Sequence, residues 1–293
     1  MKQIPESELI LNSDGSIYHL NLLPDDISHI IINVGDPDRV AMVSDHFEKI
    51  ILKKQKREFV THTGIYKGKK ISVISTGIGT DNIDIVYNEL DALANIDLKT
   101  RMVKPTLAKL HLIRIGTSGA LQPDIAPDNF VFSRYGLGLD GLLNFYDKTH
   151  SPDEGAVIES FRNHFPNQGI FPQSYLTSCS AQLEHVLSED MHKGITASCS
   201  GFYGPQGRAL RLEISRPEMI QTLSRFRFGD LRITNFEMET GAMYGLARLM
   251  GHECCSVNVI VANRITHKFS HHAHDSIKNL IKLVLDRIAG SDI

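Results

Sequence analysis

Short β-branched runs alternate along this chain with longer stretches of helical periodicity, and that alternation constrains the fold more than any other feature. Several of the runs are apolar on both faces, as buried central strands are. The runs that predict such strands are 30–34, 71–75, 112–115 and 257–261, with a further strand over 231–236. The sequence therefore predicts an α/β fold.

Two stretches carry apolar residues at the i, i+3, i+4 spacing of an amphipathic helix. One begins at Thr80 or Asp81, and the other ends at Gly290, where glycine supplies a stop. No repeat and no Gly/Ser-rich or Pro-rich linker divides the chain, which indicates one domain over 19–293 after a loosely held lead-in over 1–18. Weak periodicity over 148–172 predicts a peripheral excursion.

Charge and composition exclude several classes of function. The 31 Lys and Arg against 34 Asp and Glu give a formal charge of −3, which disfavours nucleic acid as a partner. The four cysteines form no CxxC pair, and the first residues lack the apolar core of a signal peptide. The longest apolar runs fall far short of the roughly 20 residues that cross a bilayer. We therefore expect a cytoplasmic protein with reduced thiols and no membrane partner.

The segment 35–39, Gly-Asp-Pro-Asp-Arg, directly follows the first predicted strand. Asp36 as N-cap and Pro37 at the first helical position predict a strand, a tight turn and a helix. Backbone N–H groups at such a helix start attract anions, and Arg39 in the first turn adds a positive charge. The segment predicts a phosphate or carboxylate pocket, with a purely structural turn as the alternative.

Two further strand ends carry glycine turns. Segment 75–80, Ser-Thr-Gly-Ile-Gly-Thr, allows close backbone approach to a ligand, but position 82 lacks the third glycine of a dinucleotide fingerprint. In segment 114–119, Arg-Ile-Gly-Thr-Ser-Gly, an arginine lies on an otherwise apolar strand. Because a buried guanidinium without a partner is costly, we expect Arg114 to face either a carboxylate or a bound anion.

Two carboxylates, Glu237 and Glu239, lie between the strand over 231–236 and a helix that ends before Gly251. They are the best catalytic candidates in the chain, and the alternative is that they are ordinary first-turn acids favoured by the helix dipole.

Three histidines, His271, His272 and His274, precede the last helix without a cysteine or carboxylate at zinc-ligand spacing. They predict a solvated helix start, and no metal site is expected.

Taken in chain order, these turns resemble the uridine phosphorylase branch of nucleoside phosphorylase family I, over about 19–264. The resemblance implies a single αβα sandwich with a central mixed sheet. It further implies active sites shared across a homodimer, with dimers often assembling into hexamers. The resemblance implies no cofactor. Inorganic phosphate would be a co-substrate.

The resemblance assigns the binding residues to three groups. Those implied for phosphate are Gly35, Arg39, Arg114 and Thr117, with Arg57 donated by the neighbouring subunit. Those implied for ribose are Thr117, Met238 and Glu239, with His19 donated by the neighbouring subunit near the 5′-hydroxyl. Those implied for the base are Ser118, Gly119, Phe202, Gln206, Arg208, Glu237 and Arg264. The residues expected to act in the reaction itself are Gln206, Arg208 and Glu239.

The chain departs from the family pattern in three loops. Thr80-Asp81-Asn82 replaces a frequent Gly-Pro-Ser, which weakens the expectation of a monovalent cation at Glu58, Ile78 and Asn82. Gly204-Pro205 reverses the bacterial Pro-Gly order, and the segment 95–110 is longer than in compact bacterial relatives.

The resemblance implies reversible phosphorolysis of a pyrimidine nucleoside, with uridine as the first candidate. Purine-specific relatives commonly carry an aspartate after the late buried strand, where this chain has Asn263, and asparagine cannot serve as an acid. Three alternatives stay open: a purine nucleoside phosphorylase, a nucleosidase that uses water instead of phosphate, and a ligand-binding relative with a dead site.

Overall fold

The β-branched runs all form strands, and these strands lie in one large mixed sheet. The computed structural model describes residues 3–165 and 173–293. The strands within these ranges are β1 (Ile30–Val34), β2 (Lys49–Lys56), β3 (Phe59–Tyr66), β4 (Lys69–Ser75), β5 (Ile96–Asp97), β6 (Met102–Val103), β7 (His111–Ala120), β8 (Phe130–Gly138), β9 (Tyr175–Ser178), β10 (His192–Ser198), β11 (Arg227–Phe228), β12 (Leu231–Glu237), β13 (Glu253–Asn263) and β14 (Lys268–Phe269).

Helices cover both faces of this sheet. They are α1 (Pro37–Ser44), α2 (Thr80–Asn95), α3 (Pro152–His164), α4 (Ala181–Leu187), α5 (Met219–Arg225), α6 (Thr240–Leu249) and α7 (Ala273–Ala289). The apolar sides of α2 and α6 share one core cluster, and those of α1, α4 and α7 share another. The arrangement confirms the expected αβα sandwich with a central mixed sheet.

The sheet order brings the predicted turns to one edge. Its main path is β11-β12-β10-β8-β13-β7-β1-β4-β3-β2. Strand β1 pairs in parallel with both β4 and β7, so that Val34 lies opposite Ser75 and Asn33 opposite Arg114. The carboxyl ends of parallel strands meet at the same edge. The turns after β1 and β4 therefore lie beside Arg114.

Glycines let the backbone of helix α6 pack directly against the backbone of β8. A Cβ at Gly241 would lie 2.9 Å from the Cα of Gly138, and a Cβ at Gly136 would lie 2.9 Å from the Cα of Gly241. Neither contact leaves room for a side chain. This packing fixes where α6 begins, and Glu239 immediately precedes it.

The expectation of a peripheral excursion over 148–172 is wrong for its central part. Residues Pro152–His164 form α3, which buries Val157, Ile158 and Phe161 in a core cluster with β10 and β12. Ser151 and Glu154 cap its start reciprocally, a signal present in the sequence. Residues 166–172 of that stretch lie outside the described residues.

The lead-in contributes to the core. Leu9 and Ile17 are buried with the α2–α6 cluster, so the described part of this segment is not loosely held. The boundary between a lead-in over 1–18 and a domain over 19–293 stays a prediction. The longer segment 95–110 carries the β5–β6 hairpin. Within the described ranges, we find no helix that combines the length and the apolar character a bilayer crossing requires.

Candidate active site

A cavity of about 730 Å³ opens at the edge where the turns converge. This size falls within the range of small-molecule sites. The residues predicted from the sequence that line it are Gly35, Arg39, Arg114, Thr117, Ser118, Gly119, Phe202, Gln206, Arg208, Glu237, Met238 and Glu239. His19, Arg57 and Arg264 are the predicted residues that do not line it.

Helix α1 aims Arg39 into the cavity from its first turn. The Asp36 side chain accepts a hydrogen bond from the Asp38 N–H, which confirms it as the N-cap. Among the described residues, no carboxylate pairs with Arg39: its Nη1 donates to the Ile115 carbonyl at 3.4 Å, and its Nε is buried without a partner. Burial and the nearby Arg114 lower the pKa of Arg39.

Arg114, by contrast, is held by two carboxylates. Its Nη2 lies 2.6 Å from Glu239 Oε2 and 3.2 Å from Glu237 Oε2, and its Nη1 donates to Asn258 Oδ1 at 2.7 Å. Burial alone would lower the pKa of Arg114, but the two carboxylates outweigh it and raise the pKa. The expectation that Arg114 faces a carboxylate is therefore confirmed. Arg114 also lines the cavity, and its binding of an anion stays a prediction.

Glu237 binds the start of helix α6. Its carboxylate accepts hydrogen bonds from the N–H groups of Glu239 and Thr240 and from the Ser198 hydroxyl at 2.7 Å. Such contacts satisfy the N–H groups that a helix leaves unpaired at its start. Glu237 therefore stabilises the helix start as the alternative expected, but it does so as the last residue of β12, because the first turn of α6 contains no acid. Its assignment to the base stays a prediction.

Glu239 retains capacity for a ligand. Its Oε1 accepts from the Gly79 N–H at 2.8 Å, and its Oε2 accepts from Arg114. Gly79 has φ +96°, a conformation that favours glycine, which explains the second glycine of the turn. Burial raises the pKa of Glu239 to about 7, with Arg114 opposing the rise and Glu237 adding to it.

The loop after β10 supplies the other end of the cavity. Arg208 donates to Gln206 Oε1 at 2.7 Å, and its guanidinium carbon lies 3.7 Å from the centre of the Phe202 ring. Gln206 is buried, whereas Phe202 is half exposed. Burial, and then the nearby Arg264, lower the pKa of Arg208 to about 10, which leaves it charged at neutral pH.

Arg264 supports this loop from behind. Its guanidinium donates to the Gln206 carbonyl at 3.1 Å and to the Gly207 carbonyl at 3.4 Å, outside the cavity lining. Asn263, just before it, donates to the carbonyls of Gln122 and Ile125 and accepts from two backbone N–H groups. The structure therefore gives Arg264 contacts with the loop backbone, and all four hydrogen-bonding positions of Asn263 are occupied within the protein.

His19 and Arg57 lie outside this cavity, on two segments of the chain that contact each other. Arg57 is exposed at the turn between β2 and β3, directly before the cavity residue Glu58. The preceding residue, Lys56, donates to the Tyr18 carbonyl, which directly precedes His19. One contact therefore ties together the two segments that carry them.

Glu58, Ile78 and Asn82 also line the cavity. The Asn82 amide donates to the Ile78 carbonyl at 3.5 Å, so an N–H group faces the oxygen that a monovalent cation would need. No group of three or more His, Cys, Asp or Glu residues in ranges 3–165 and 173–293 is arranged to hold a metal ion. His271, His272 and His274 are exposed around the start of α7, as expected.

Three residues of the site escaped the sequence analysis. Asn258 accepts a hydrogen bond from Arg114, and Ser198 donates one to Glu237. Phe269 of β14 lines the cavity. A polar side chain in the middle of the apolar run 257–261 was the signal for Asn258. Ser198 and Phe269 carry no such signal, because only the tertiary fold brings them to the site.

The fold and this site define the chain as a phosphorylase: residues 29–289 match the model of the phosphorylase superfamily, and the chain belongs to that superfamily. It is 30% identical to a uridine phosphorylase of Thermococcus kodakarensis, over 87% of this chain and 80% of that protein. It is 27% identical to a DeoD-type purine nucleoside phosphorylase of Listeria monocytogenes, over 82% of this chain and 84% of that protein.

A solved nucleoside phosphorylase of Trypanosoma brucei, described as showing uridine phosphorylase activity, superposes with a TM-score of 0.89. Its sequence identity is 27%, covering 97% of this chain and 100% of that chain. These similarities confirm the resemblance found in the sequence.

Proposed function

We propose that this chain is a pentosyltransferase that catalyses the reversible phosphorolysis of pyrimidine nucleosides, converting uridine and phosphate into uracil and ribose 1-phosphate. One observation carries the proposal. A single cavity combines Arg39, which has no carboxylate of the described residues within ion-pair distance, with a hydrogen-bonded pair formed by the buried Gln206 and the half-buried Arg208. Two relatives whose names or descriptions refer to uridine phosphorylase support it. Our prediction of a cytoplasmic location stands unchanged.

Phosphate binding is assigned to the end of the cavity at Gly35, Arg39, Arg114 and Thr117. Arg114 already has Glu237 and Glu239 as counter-ions, so Arg39 is the cation most in need of an anion. A guanidinium suits phosphate because its planar N–H groups match two phosphate oxygens. A nucleosidase would have no use for this unpaired charge, which favours phosphorolysis over hydrolysis.

Ribose binding is assigned to Glu239, with Met238 beside it. A carboxylate has about four lone-pair positions, and Gly79 and Arg114 take one on each oxygen. One position therefore remains on each oxygen, which matches the two neighbouring hydroxyls at C2′ and C3′ of ribose.

Base recognition is assigned to Gln206 and Arg208, with Phe202 stacking nearby. An amide offers a donor and an acceptor to the O2 and N3–H of uracil, and Arg208 offers donors to O4. Asn263 has all of its hydrogen-bonding positions filled, so it supplies no proton to a purine N7. A buried hydrogen-bonding group left unmatched costs about 1–3 kcal/mol, which favours pyrimidines over purines.

In the reaction, a phosphate oxygen forms a bond to C1′ as the bond from C1′ to N1 breaks. The electron pair of the broken bond stays on uracil, which then takes up, through solvent, the proton that hydrogen phosphate loses when it becomes the ester. Arg208 stabilises the negative charge on the departing base, and Arg39 with Arg114 holds the phosphate in position. The chain contributes positioning and electrostatics, and no covalent intermediate with the protein is required.

The proposed site is completed by a second copy of the chain. His19 and Arg57 lie outside their own cavity, and the Lys56–Tyr18 contact links the segments that carry them. In a homodimer, Arg57 and His19 would reach the phosphate and the ribose bound in the cavity of the neighbouring subunit. Mixing the inactive variants Arg57→Ala and Glu239→Ala is expected to restore activity, because each hybrid contains one complete site. Demonstrated subunit exchange without recovery would count against a shared site.

A panel of nucleosides tests the proposed function. We expect the wild-type protein to release uracil from uridine faster than it releases a base from inosine or adenosine, and to lose this activity when phosphate is omitted. Faster cleavage of a purine nucleoside would show that Gln206 and Arg208 are wrongly assigned. Undiminished cleavage without phosphate would favour a nucleosidase.

A further inference from the structure

The proposed mechanism does not use the carboxylate of Glu89. Glu89 lies on α2, outside the cavity, and its side chain is 12% exposed. Its oxygens accept hydrogen bonds from the backbone N–H groups of His19, at 2.9 Å, and Leu20, at 2.8 Å. Its Oε1 also lies 2.7 Å from Nδ1 of the His19 ring. One carboxylate thus holds both the backbone and the imidazole of His19.

This contact decides which ring nitrogen of His19 is available. A carboxylate accepts hydrogen bonds and cannot donate them, so Nδ1 must carry the proton that faces Glu89. In the neutral imidazole, Nε2 then carries the lone pair and points away from Glu89, and no group in the described ranges forms a hydrogen bond with it. The Tyr18 ring packs edge-on against the imidazole at 4.7 Å and restricts its rotation. His19 therefore presents Nε2 in one orientation.

The backbone around His19 is fixed from a second side. Lys56 donates to the Tyr18 carbonyl and to Asn12 Oδ1, and its ammonium lies 4.6 Å from the centre of the Tyr18 ring. The segment that carries His19 is therefore anchored by Glu89 on α2 and by Lys56 on β2. A ligand contact built on this segment would be preorganised.

We propose that Glu89 is a positioning residue for the active site of the neighbouring subunit. By fixing the tautomer and the orientation of His19, it makes Nε2 an acceptor for the 5′-hydroxyl of the ribose bound there. This inference rests on the proposed function. It predicts that the preference of the enzyme for uridine over 5′-deoxyuridine depends on a carboxylate outside the cavity. Such carboxylate–imidazole pairs fix a histidine tautomer at many functional sites.

A comparison of two substrates tests the role of Glu89. We expect Glu89→Gln to lower kcat/KM for uridine by roughly threefold to tenfold, the worth of one hydrogen bond between neutral groups. The same variant should leave kcat/KM for 5′-deoxyuridine unchanged, because that substrate lacks the hydroxyl that Nε2 accepts. A merely structural role for Glu89 would lower both values equally, and that result would overturn the proposal.

Two further variants separate the effect of Glu89 from general damage. In a His19→Ala background, Glu89→Gln should have no additional effect on uridine, because Glu89 acts on the substrate only through the imidazole of His19. Glu184→Gln is the matched control. Glu184 also lies on a helix, and its carboxylate pairs with the Arg134 guanidinium at a distance of 3.0 Å, outside the candidate site. An additional loss in the His19→Ala background, or the same loss in the control, would contradict the proposal.

The failure of this inference is distinguishable from the failure of the proposed function. If the wild-type protein does not cleave uridine with phosphate, the proposed function is wrong. If it does so and Glu89→Gln cleaves uridine at the wild-type rate, only the role of Glu89 is wrong.

Discussion

Replacing Arg39 by methionine is expected to weaken phosphate use without destabilising the fold. In the protein, the guanidinium forms one long hydrogen bond of 3.4 Å, its Nε has no partner, and Arg114 repels it. With phosphate bound, it would gain a charge-assisted hydrogen bond of about 1.5–3 kcal/mol. Its loss corresponds to a decrease of roughly 10- to 150-fold in kcat/KM for phosphate.

Arg114→Met provides the contrasting variant. It removes contacts of 2.6 Å and 3.2 Å to Glu239 and Glu237 and leaves both carboxylates buried. Breaking a buried ion pair from one side costs about 3–5 kcal/mol. We therefore expect Arg114→Met to lose both phosphate use and stability, whereas Arg39→Met loses only phosphate use.

Two assays on the same preparations separate these outcomes. Initial rates at varied phosphate give kcat/KM, and urea unfolding at one protein concentration gives the free energy of unfolding. Arg232→Lys, at an exposed ion pair with Asp124, is a control for both assays. A large loss of stability in Arg39→Met, or an unchanged kcat/KM for phosphate, would refute the reasoning from its missing partner.

Four further predictions concern Glu239, Gln206 and the packing of α6 on β8. Because burial raises the pKa of Glu239 to about 7 and its carboxylate form is the one assigned to ribose, the fall of kcat/KM for uridine at low pH should have its midpoint near neutral pH; a midpoint near the ordinary pKa of 4.5 would contradict this. The raised pKa also means that the stability contributed by protonated Glu239 is lost as the pH rises from 4.5 through about 7, and Glu239→Gln should remove this dependence in urea unfolding. Gln206→Ala should lower kcat/KM for uridine far more than phosphate affinity, and equal losses would contradict its contact with the base. Gly241→Ala should lower the free energy of unfolding by about 1–3 kcal/mol, since its Cβ would lie 2.9 Å from the Gly138 backbone; wild-type stability would show that α6 can shift.

Local patterns predicted the elements that carry the cavity. Apolar runs located β1, β4, β7 and β13, and the Asp36–Pro37 pair located the start of α1, because these signals act over a few neighbouring residues. Helix α3 was missed because its apolar face is short and polar residues interrupt it. Its capping pair, Ser151 and Glu154, was the better signal.

The different roles of the charged residues could not be predicted from their neighbours in the sequence. The sequence paired Glu237 with Glu239, but only the packing of α6 on β8 decides that Glu237 binds helix N–H groups while Glu239 keeps free lone pairs. In the same way, the residues near Arg39 in the sequence do not reveal that no carboxylate of the described residues lies within ion-pair distance of it. Such facts depend on which strands become neighbours, and so on residues far apart in the chain.

The central claim is that phosphate, and not water, attacks the nucleoside in this cavity. Phosphorus NMR of the wild-type protein with uridine and phosphate tests it directly, because ribose 1-phosphate is a phosphate monoester with its own resonance. The account predicts that this resonance grows in step with uracil release while inorganic phosphate declines equally. Uracil release with a constant phosphate signal and accumulating free ribose would contradict it.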